Sequence, residues 1–458
     1  MLSFLLGSTI ITSILFVSLK MIKYNTIAIN RLLNVFVSSL YVAFYDFIVR
    51  VFIFQFYEYF VDYQYHNMSL NEYLGYMLIS VFPMLFFKGM KNLASVFSFF
   101  TYLFIYIPFI NTLFVGGYSP SITYPYMFVF FISMCLFFYT DTICLFKKNF
   151  NHKPRLKFRT LEILTFSILL IVIALSINKI RFVNILTESD LMYEQRADNS
   201  LAGSSVGYLV SWLKNALIPI LMVCYLRTQH YLKFTISFAA MIIVFMIDMS
   251  KITFLMAFII AIVYFLYAKF QTAFLNYFAV FVMTSLMGIS LGCYLFVDNE
   301  TVFKIAAILL MRTLCIEGME LATYLNFFEV CHNHPYTYFT HIGIIGKITG
   351  AYPYSQPIGL VVTYDGPNAN GCFWLMDGIT GAGVLGCVFA SFLFLIFKSV
   401  MNGMGTKYDI GLCVIILTFS IASLVNVSLF TAIMSCGYVL IYFIYMYFSL
   451  TPIYKNKI

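Results

Sequence analysis

The sequence predicts an all-α, polytopic integral membrane protein, on three observations: 62% of its 458 residues are hydrophobic, only 10% are charged, and the mean hydropathy is +0.91. No core-and-surface arrangement presents such a mixture to water, so the bilayer is the solvent. In hydrocarbon every backbone polar group must be satisfied internally, which leaves helices or a closed barrel. Uninterrupted apolar runs of about 20 residues select helices, because barrel strands alternate with period two. The 52 Phe and 35 Tyr against two Trp suit lipid-facing and interfacial positions, or a coding bias, and carry no functional weight.

The apolar runs place spans near 2–18, 32–54, 72–87, 93–115, 125–145, 160–178, 208–226, 234–249, 252–268, 272–297, 378–397, 410–427 and 429–448, about 12 to 13 in all. Residues 2–18 are expected to be a retained first span, because Lys20 and Lys23 follow and no cleavable leader pattern is visible. The stretch 234–268 would measure ~52 Å as one helix against a ~30 Å hydrocarbon core, so it must turn, at Asp248-Met249-Ser250-Lys251. The last apolar block, 410–448, turns for the same reason at Asn426 to Ser428.

Orientation follows from Lys and Arg. Eighteen of the 27 lie on one set of loop ends, among them Lys20, Lys23, Arg31, Lys88, Lys91, Lys398 and the basic loop Lys147 to Arg159, and that side is cytoplasmic. The net charge of +8 is thus mostly topogenic, and no nucleic acid partner is expected. The other nine are Arg50, Lys179, Arg181, Arg196, Lys214, Lys251, Lys304, Arg312 and Lys347, in spans or external loops where the topology rule gives them no reason to be. The chain reads as a single membrane domain, 1–458, with two long external segments, 179–207 and the larger 298–377, where function is expected.

In the first segment, Arg196 sits in a Gly/Ser-rich run ending at Gly207-Tyr208, just before a span. That is either an anion cradle, with backbone N–H groups, a helix N-terminus and a guanidinium, or a solvated arginine paired with Asp198 or Glu194. Lys251 at its hairpin corner either pairs with Asp248 or points at an anionic headgroup or substrate, and Lys214 snorkels to the same surface. Asp46 and Arg50, four apart in one span, read as a structural pair.

The large segment opens with Thr301 to Thr313, a helix expected to lie at the interface with Lys304 and Arg312 nearly alone among apolar neighbours. Glu317, Glu320 and Tyr324 follow at helical spacing, then His332, His334-Pro335-Tyr336 and His341. The three histidines form no recognised ligand frame, so no metal and no cofactor is expected. A general base is better supported, because an acceptor hydroxyl must lose its proton and imidazole titrates near neutral pH. Asn368, Asn370 and Asp377 beside aromatic residues offer donors and acceptors for a sugar, or else a turn before a Gly-packed helix start at Gly381 and Gly383. Ten cysteines without a C-x-x-C argue against a zinc site or disulfide framework, although Cys315, Cys331 and Cys372 are placed to meet an oxidising compartment.

In this order the pieces from Arg196 to Phe397 resemble the Wzy-type O-antigen polymerases: Arg196 to Gly207-Tyr208, Ser250-Lys251, Arg312…Tyr324…Phe327-Phe328, His334-Pro335-Tyr336, Pro353-Tyr354 and Asn368-Ala-Asn370…Asp377…Gly381…Gly383. The first 150 residues match in hydropathy alone. The resemblance implies a glycosyltransferase-C-like fold in the bacterial inner membrane with its active loops periplasmic. The implied reaction moves a glycan from undecaprenyl diphosphate onto the non-reducing end of a second lipid-linked repeat unit, with membrane lipids and a chain-length regulator as partners. Arg196, Lys251 and Arg312 would bind the diphosphate, Tyr324, Asn368 and Asn370 the glycan, and His341, or else His334 or Asp377, would activate the hydroxyl. An O-antigen ligase shares the topology and the diphosphate chemistry. A flippase or transporter would carry inverted repeats and midplane charges, and the sequence has no such repeat.

Overall fold

The structure is a computed structural model that describes residues 27–53, 65–147, 154–181, 205–296, 298–299, 310–331, 334–364 and 368–453. Among these residues the chain is 78% helical and has no strand, and ten helices are long and apolar enough to cross a membrane. The protein is therefore a multi-pass, all-helical membrane protein. The expected first span at 2–18 lies outside the described residues.

In chain order, α1 is Ile27–Ile48 and runs into a π-helical turn at Val49–Ile53. Helix α2 is Leu70–Val81, α3 is Leu93–Val115 with a π turn at Tyr102–Tyr106, and α4 is Pro120–Tyr139. Helix α5 is Phe158–Ser176, α6 is Ser205–Arg227 with a π turn at Leu213–Leu217, α7 is Tyr231–Asp248, α8 is Lys251–Phe270 and α9 is Thr272–Leu295. Residues 310–330 form α10, whose regular centre Ile316–Leu325 lies between π turns at Met311–Cys315 and Asn326–Val330. Two short helices follow, α11 at Gly343–Thr349 and α12 at Ile358–Val361. Helix α13 is Trp374–Met404, α14 is Ile410–Val425 and α15 is Leu429–Tyr447.

The expected corners fall where length demanded them. Helix α7 ends at Asp248, Met249 takes a left-handed backbone at φ +51°, and α8 begins at Lys251. The 410–448 block breaks between Val425 and Leu429. Two boundaries differ from the hydropathy reading. Helix α4 starts at Pro120 rather than 125, because a proline in the first turn needs no N–H partner and the apolar count ignored it. Helix α13 starts at Trp374 rather than 378, through a π turn, and its backbone leaves helical geometry at Ala382 and Gly383.

The helices form two compact units. The first holds Met1–Ile143, Thr272–Lys398 and Val425–Leu429; the second holds Cys144–Gln271, Ser399–Leu424 and Phe430–Ile458. Without a hydrophobic drive between helices in lipid, small residues and polar side chains supply close approach and cohesion. In the first unit α10 packs on α3 because Gly318 leaves no room for a Cβ against the Thr112 hydroxyl, which donates to the Gly318 carbonyl at 3.0 Å. Ser133 and Trp374 both meet the Ser391 hydroxyl at 2.8 Å, tying α4 to α13. Asp46 and Arg50 form the expected ion pair at 2.7 Å. In the second unit Lys214 reaches Asp248 at 2.7 Å, binding α6 to α7, and the Ser420 hydroxyl donates to the Asn215 carbonyl at 3.0 Å.

Of the interfacial helix expected over Thr301–Thr313, residues 301–309 lie outside the described residues. Leu310, Met311 and Leu314 are buried, and so is the whole of Ile316–Leu325, against which α3 and the 372–379 segment pack.

Lys398, counted by sequence among the cytoplasmic topology signals, is 0% exposed. It is paired with Asp141 at 3.2 Å and also donates to the Ser98 hydroxyl at 3.3 Å and the Phe137 carbonyl. Removing one member of a buried pair strands the other charge. Lys398→Ala or Asp141→Ala is expected to cost about 3–5 kcal/mol, while Lys398→Met with Asp141→Leu recovers most of that loss, as measured by thermal unfolding in one detergent.

Candidate functional site

The candidate site lies in the first unit, where the end of α10, the segment 334–342 and the start of α13 meet. Helix α10 is built of good helix formers, and each of its π turns adds a residue that swings the following side chains off the regular face. The turn Asn326–Val330 carries Phe327, Phe328 and Glu329, and the matching turn at Trp374–Ile379 carries Asp377. The segment after His334 is fixed to α13 by backbone bonds, Thr337 N–H to the Thr380 carbonyl at 2.9 Å and Tyr338 N–H to the Gly381 carbonyl at 3.0 Å. Tyr338 and Phe339 take left-handed backbones at φ +47° and +67°, and Gly381 admits the Phe339 ring where a Cβ would stand 2.8 Å from it.

This anchoring brings His341 to Asp377, two of the three expected acid–base residues. The His341 Nδ1 meets the Thr337 hydroxyl at 2.7 Å, and Nε2 faces Asp377 Oδ1 at 3.7 Å, an ion pair when the imidazole is protonated. Asp377 Oδ2 accepts from the Leu429 N–H at 2.5 Å. His341 is 5% exposed and Asp377 0%, so the pair is screened from solvent.

His334 occupies the surface instead. Its ring lies flat on Phe327, with centroids 3.7 Å apart and planes 14° apart, and Tyr354 and Tyr364 edge the same phenyl ring at 6.1 and 5.8 Å. Tyr364 is 65% exposed. Tyr354 donates to the Pro335 carbonyl at 2.6 Å and Tyr352 to the Gln356 carbonyl at 2.8 Å; burial pushes both phenols up to about 12, so they remain donors. The result is an aromatic wall with polar edges, the surface on which a sugar ring stacks its C–H face.

The remaining expected residues fall into three groups. Asn368 and Asn370 are exposed, with Asn368 against Gly359. Tyr324 is fully buried, its hydroxyl on the Ala369 carbonyl at 3.1 Å and on Met376 Sδ at 2.8 Å, so it supports the 369–376 segment from beneath rather than facing a ligand. Arg312 lies on the first π turn of α10, Lys251 belongs to the second unit and is half-buried, and Arg196 and His332 lie outside the described residues. Asp248, one of the two alternatives expected for Lys251, has among its partners Lys214 and the Thr253 hydroxyl, the latter at 2.9 Å. All ten cysteines are free thiols, with Cys315 and Cys372 buried and Cys331 exposed.

The sequence reading missed Glu329. Its Oε1 accepts two phenols, from Tyr126 of α4 at 2.5 Å and from Tyr336 at 2.8 Å. Tyr126 stands 203 residues away and inside an apolar span, so no local pattern connects it to Glu329. Gly383, at φ +58°, sits against this cluster, and a Cβ there would come within 2.7 Å of the Tyr336 hydroxyl and 3.1 Å of Glu329 Oε1.

No family model, curated protein or solved structure matches this chain. The reading of its site rests on its own geometry.

Asp377→Leu leaves the buried Leu429 N–H without an acceptor and is expected to cost about 1–3 kcal/mol. Asp377→Asn keeps a carbonyl oxygen for that N–H and costs less. Thermal unfolding of the two purified variants checks the order.

Proposed function

We propose that this chain polymerises undecaprenyl-diphosphate-linked O-antigen repeat units at the periplasmic face of a bacterial inner membrane, through a glycosyltransferase-C-like arrangement of its helices. The observation that carries the reading is the aromatic cluster of half-buried His334 and Tyr354 and exposed Tyr364 around buried Phe327, near the screened His341–Asp377 pair, in a chain whose solvent is lipid. A polyprenyl-linked glycan has one part for each medium: an isoprenoid for the bilayer, a diphosphate for cations at its edge, and sugars for an aromatic surface outside it.

In this reading segments 179–207 and 298–377 are periplasmic. Arg196, Lys251 and Arg312 are the cations this reading assigns to diphosphate binding, where a cation stabilises the charge gained on leaving. Asn368 and Asn370, exposed amides, bond sugar hydroxyls near the wall. His334 packs against a sugar ring as part of the wall. The His341–Asp377 pair acts from behind the surface, holding the 334–341 segment to α13. The donor and acceptor are lipid-linked oligosaccharides, with a chain-length regulator as the partner that sets product size.

An O-antigen ligase would use the same donor and differ in its acceptor, so the test must separate the two. In a strain lacking this gene, lipopolysaccharide run on a gel is expected to carry core plus a single O-unit. Bare core with long lipid-linked chains accumulating would make the protein the ligase, and an unchanged ladder would remove glycosyl transfer from consideration. In the same strain, Arg196→Ala and Arg312→Ala are each expected to shorten the restored chains, and wild-type lengths from both would dismiss the cation assignment.

A further inference from the structure

We infer that the Glu329 carboxylate is the general base that meets the acceptor hydroxyl. The inference rests on the glycosyl-transfer reading and adds the residue that the screened pair cannot supply. His341 has one nitrogen on Thr337 and the other facing Asp377, and Asp377 is fully enclosed. Glu329 is half-buried on the π turn that also carries Phe327, the floor of the aromatic wall.

Its two oxygens have different surroundings. Oε1 is held by the Tyr126 and Tyr336 hydroxyls, which fix the carboxylate plane, while Oε2 takes no hydrogen bond among the described residues. A carboxylate with one oxygen clamped and one open is oriented and still able to accept a proton. Around it stand Tyr336, stacked on Phe328 with centroids 5.6 Å apart, and Tyr338, 69% exposed, which meets the Tyr336 ring edge-on at 6.5 Å. Gly383 keeps the α13 side of the carboxylate open, and its left-handed backbone at the break in α13 is a conformation other residues adopt at a cost. Two tyrosines, a helix break and a π turn thus converge on one carboxylate oxygen.

In the step, Glu329 Oε2 takes the proton of the acceptor hydroxyl while that oxygen's electron pair forms the bond to the donor's anomeric carbon. The anomeric carbon–oxygen bond to the diphosphate breaks, and its electron pair leaves with polyprenyl diphosphate. The proton on Glu329 then passes to water, and nothing is oxidised or reduced.

The test uses the full-length protein in lipid nanodiscs with lipid-linked repeat units extracted from cells lacking this gene. If the wild-type protein does not lengthen them, the glycosyl-transfer reading fails, whatever Glu329 does. If it does, Glu329→Gln is expected to lower kcat about 100-fold or more with KM within a few-fold of wild type, in keeping with the usual contribution of a general base. Glu329→Ala is expected to regain part of the lost rate in formate, which enters the vacated space as an external base. Unchanged kcat in Glu329→Gln, a loss confined to KM, or no rescue by formate would overturn the assignment. Should Glu329→Gln fail to fold, Tyr336→Phe decides: a fall in kcat at constant KM supports the base, and wild-type kcat overturns it.

Discussion

A charge carried into a helix bundle whose solvent is hydrocarbon must find its partner inside the protein, and the regular α-helix offers it only a few directions in which to look. This chain widens the choice by inserting residues into its helices. Among the described residues, π turns carry Arg50, Lys214, Arg312, Glu329 and Asp377. Each such turn rotates the following residues relative to the preceding ones, so a charged side chain can face inward while the apolar stripe of the helix keeps its register toward lipid or neighbour. The partners reached differ by turn: Asp46 for Arg50, Asp248 for Lys214, two phenols for Glu329, and a backbone N–H with an imidazole for Asp377. The turn at Tyr102–Tyr106 does the same for neutral groups, sending the two hydroxyls to the Ser80 and Ile79 carbonyls at 3.0 and 2.7 Å.

The candidate site is a consequence of that device. The π turn ending α10 and the π turn opening α13 fall where the 334–342 segment docks on α13, so both carboxylates project toward one short stretch of chain. The left-handed backbones at Tyr338 and Phe339 then let that stretch reverse within a few residues, placing His334 outside on Phe327 and His341 inside on Asp377. Surface and interior histidines only seven positions apart thus acquire different surroundings through backbone geometry alone.

Hydropathy made the spans legible, because about 20 apolar residues per crossing is a length constraint that no tertiary contact overrides. The same constraint located the corners at 248–251 and 426–428. What it could not supply was the side to which each polar residue turns. The Asp46–Arg50 pair was legible because its partners are one helical turn apart, whereas the pairing of Lys398 was not, because its partner, Asp141, is 257 residues away. The burial of Ile316–Leu325 with its two glutamates was not legible for a related reason: the helix that packs on it, α3, meets it at Thr112 and Gly318, 206 residues apart in the chain. His341, His334 and Asp377 were found as residue types suited to proton transfer, and the docking of one segment on α13 divides them into a surface group and a screened pair. Glu329 carried no local signal, since its holders come from α4 and from beyond the turn that bears it.

Several incompletely bonded polar atoms also lie in this region. Burying a polar group without a partner is costly, and native structures retain such groups mainly where a further purpose offsets the cost. Among the described residues Glu317 Oε1, His341 Nε2 and Asp377 Oδ1 are buried without a hydrogen bond. Glu317 reaches the start of α13 through its other oxygen, which accepts from the Cys372 N–H at 3.1 Å, so all three atoms belong to the junction of α10 with α13. At this junction His341 Nε2 and Asp377 Oδ1 face each other at 3.7 Å, enclosed by protein, and burying either charge without the other is costly. The same junction carries Phe327 and Glu329 on its π turn, so the enclosed pair and the aromatic cluster around His334 share one anchoring segment.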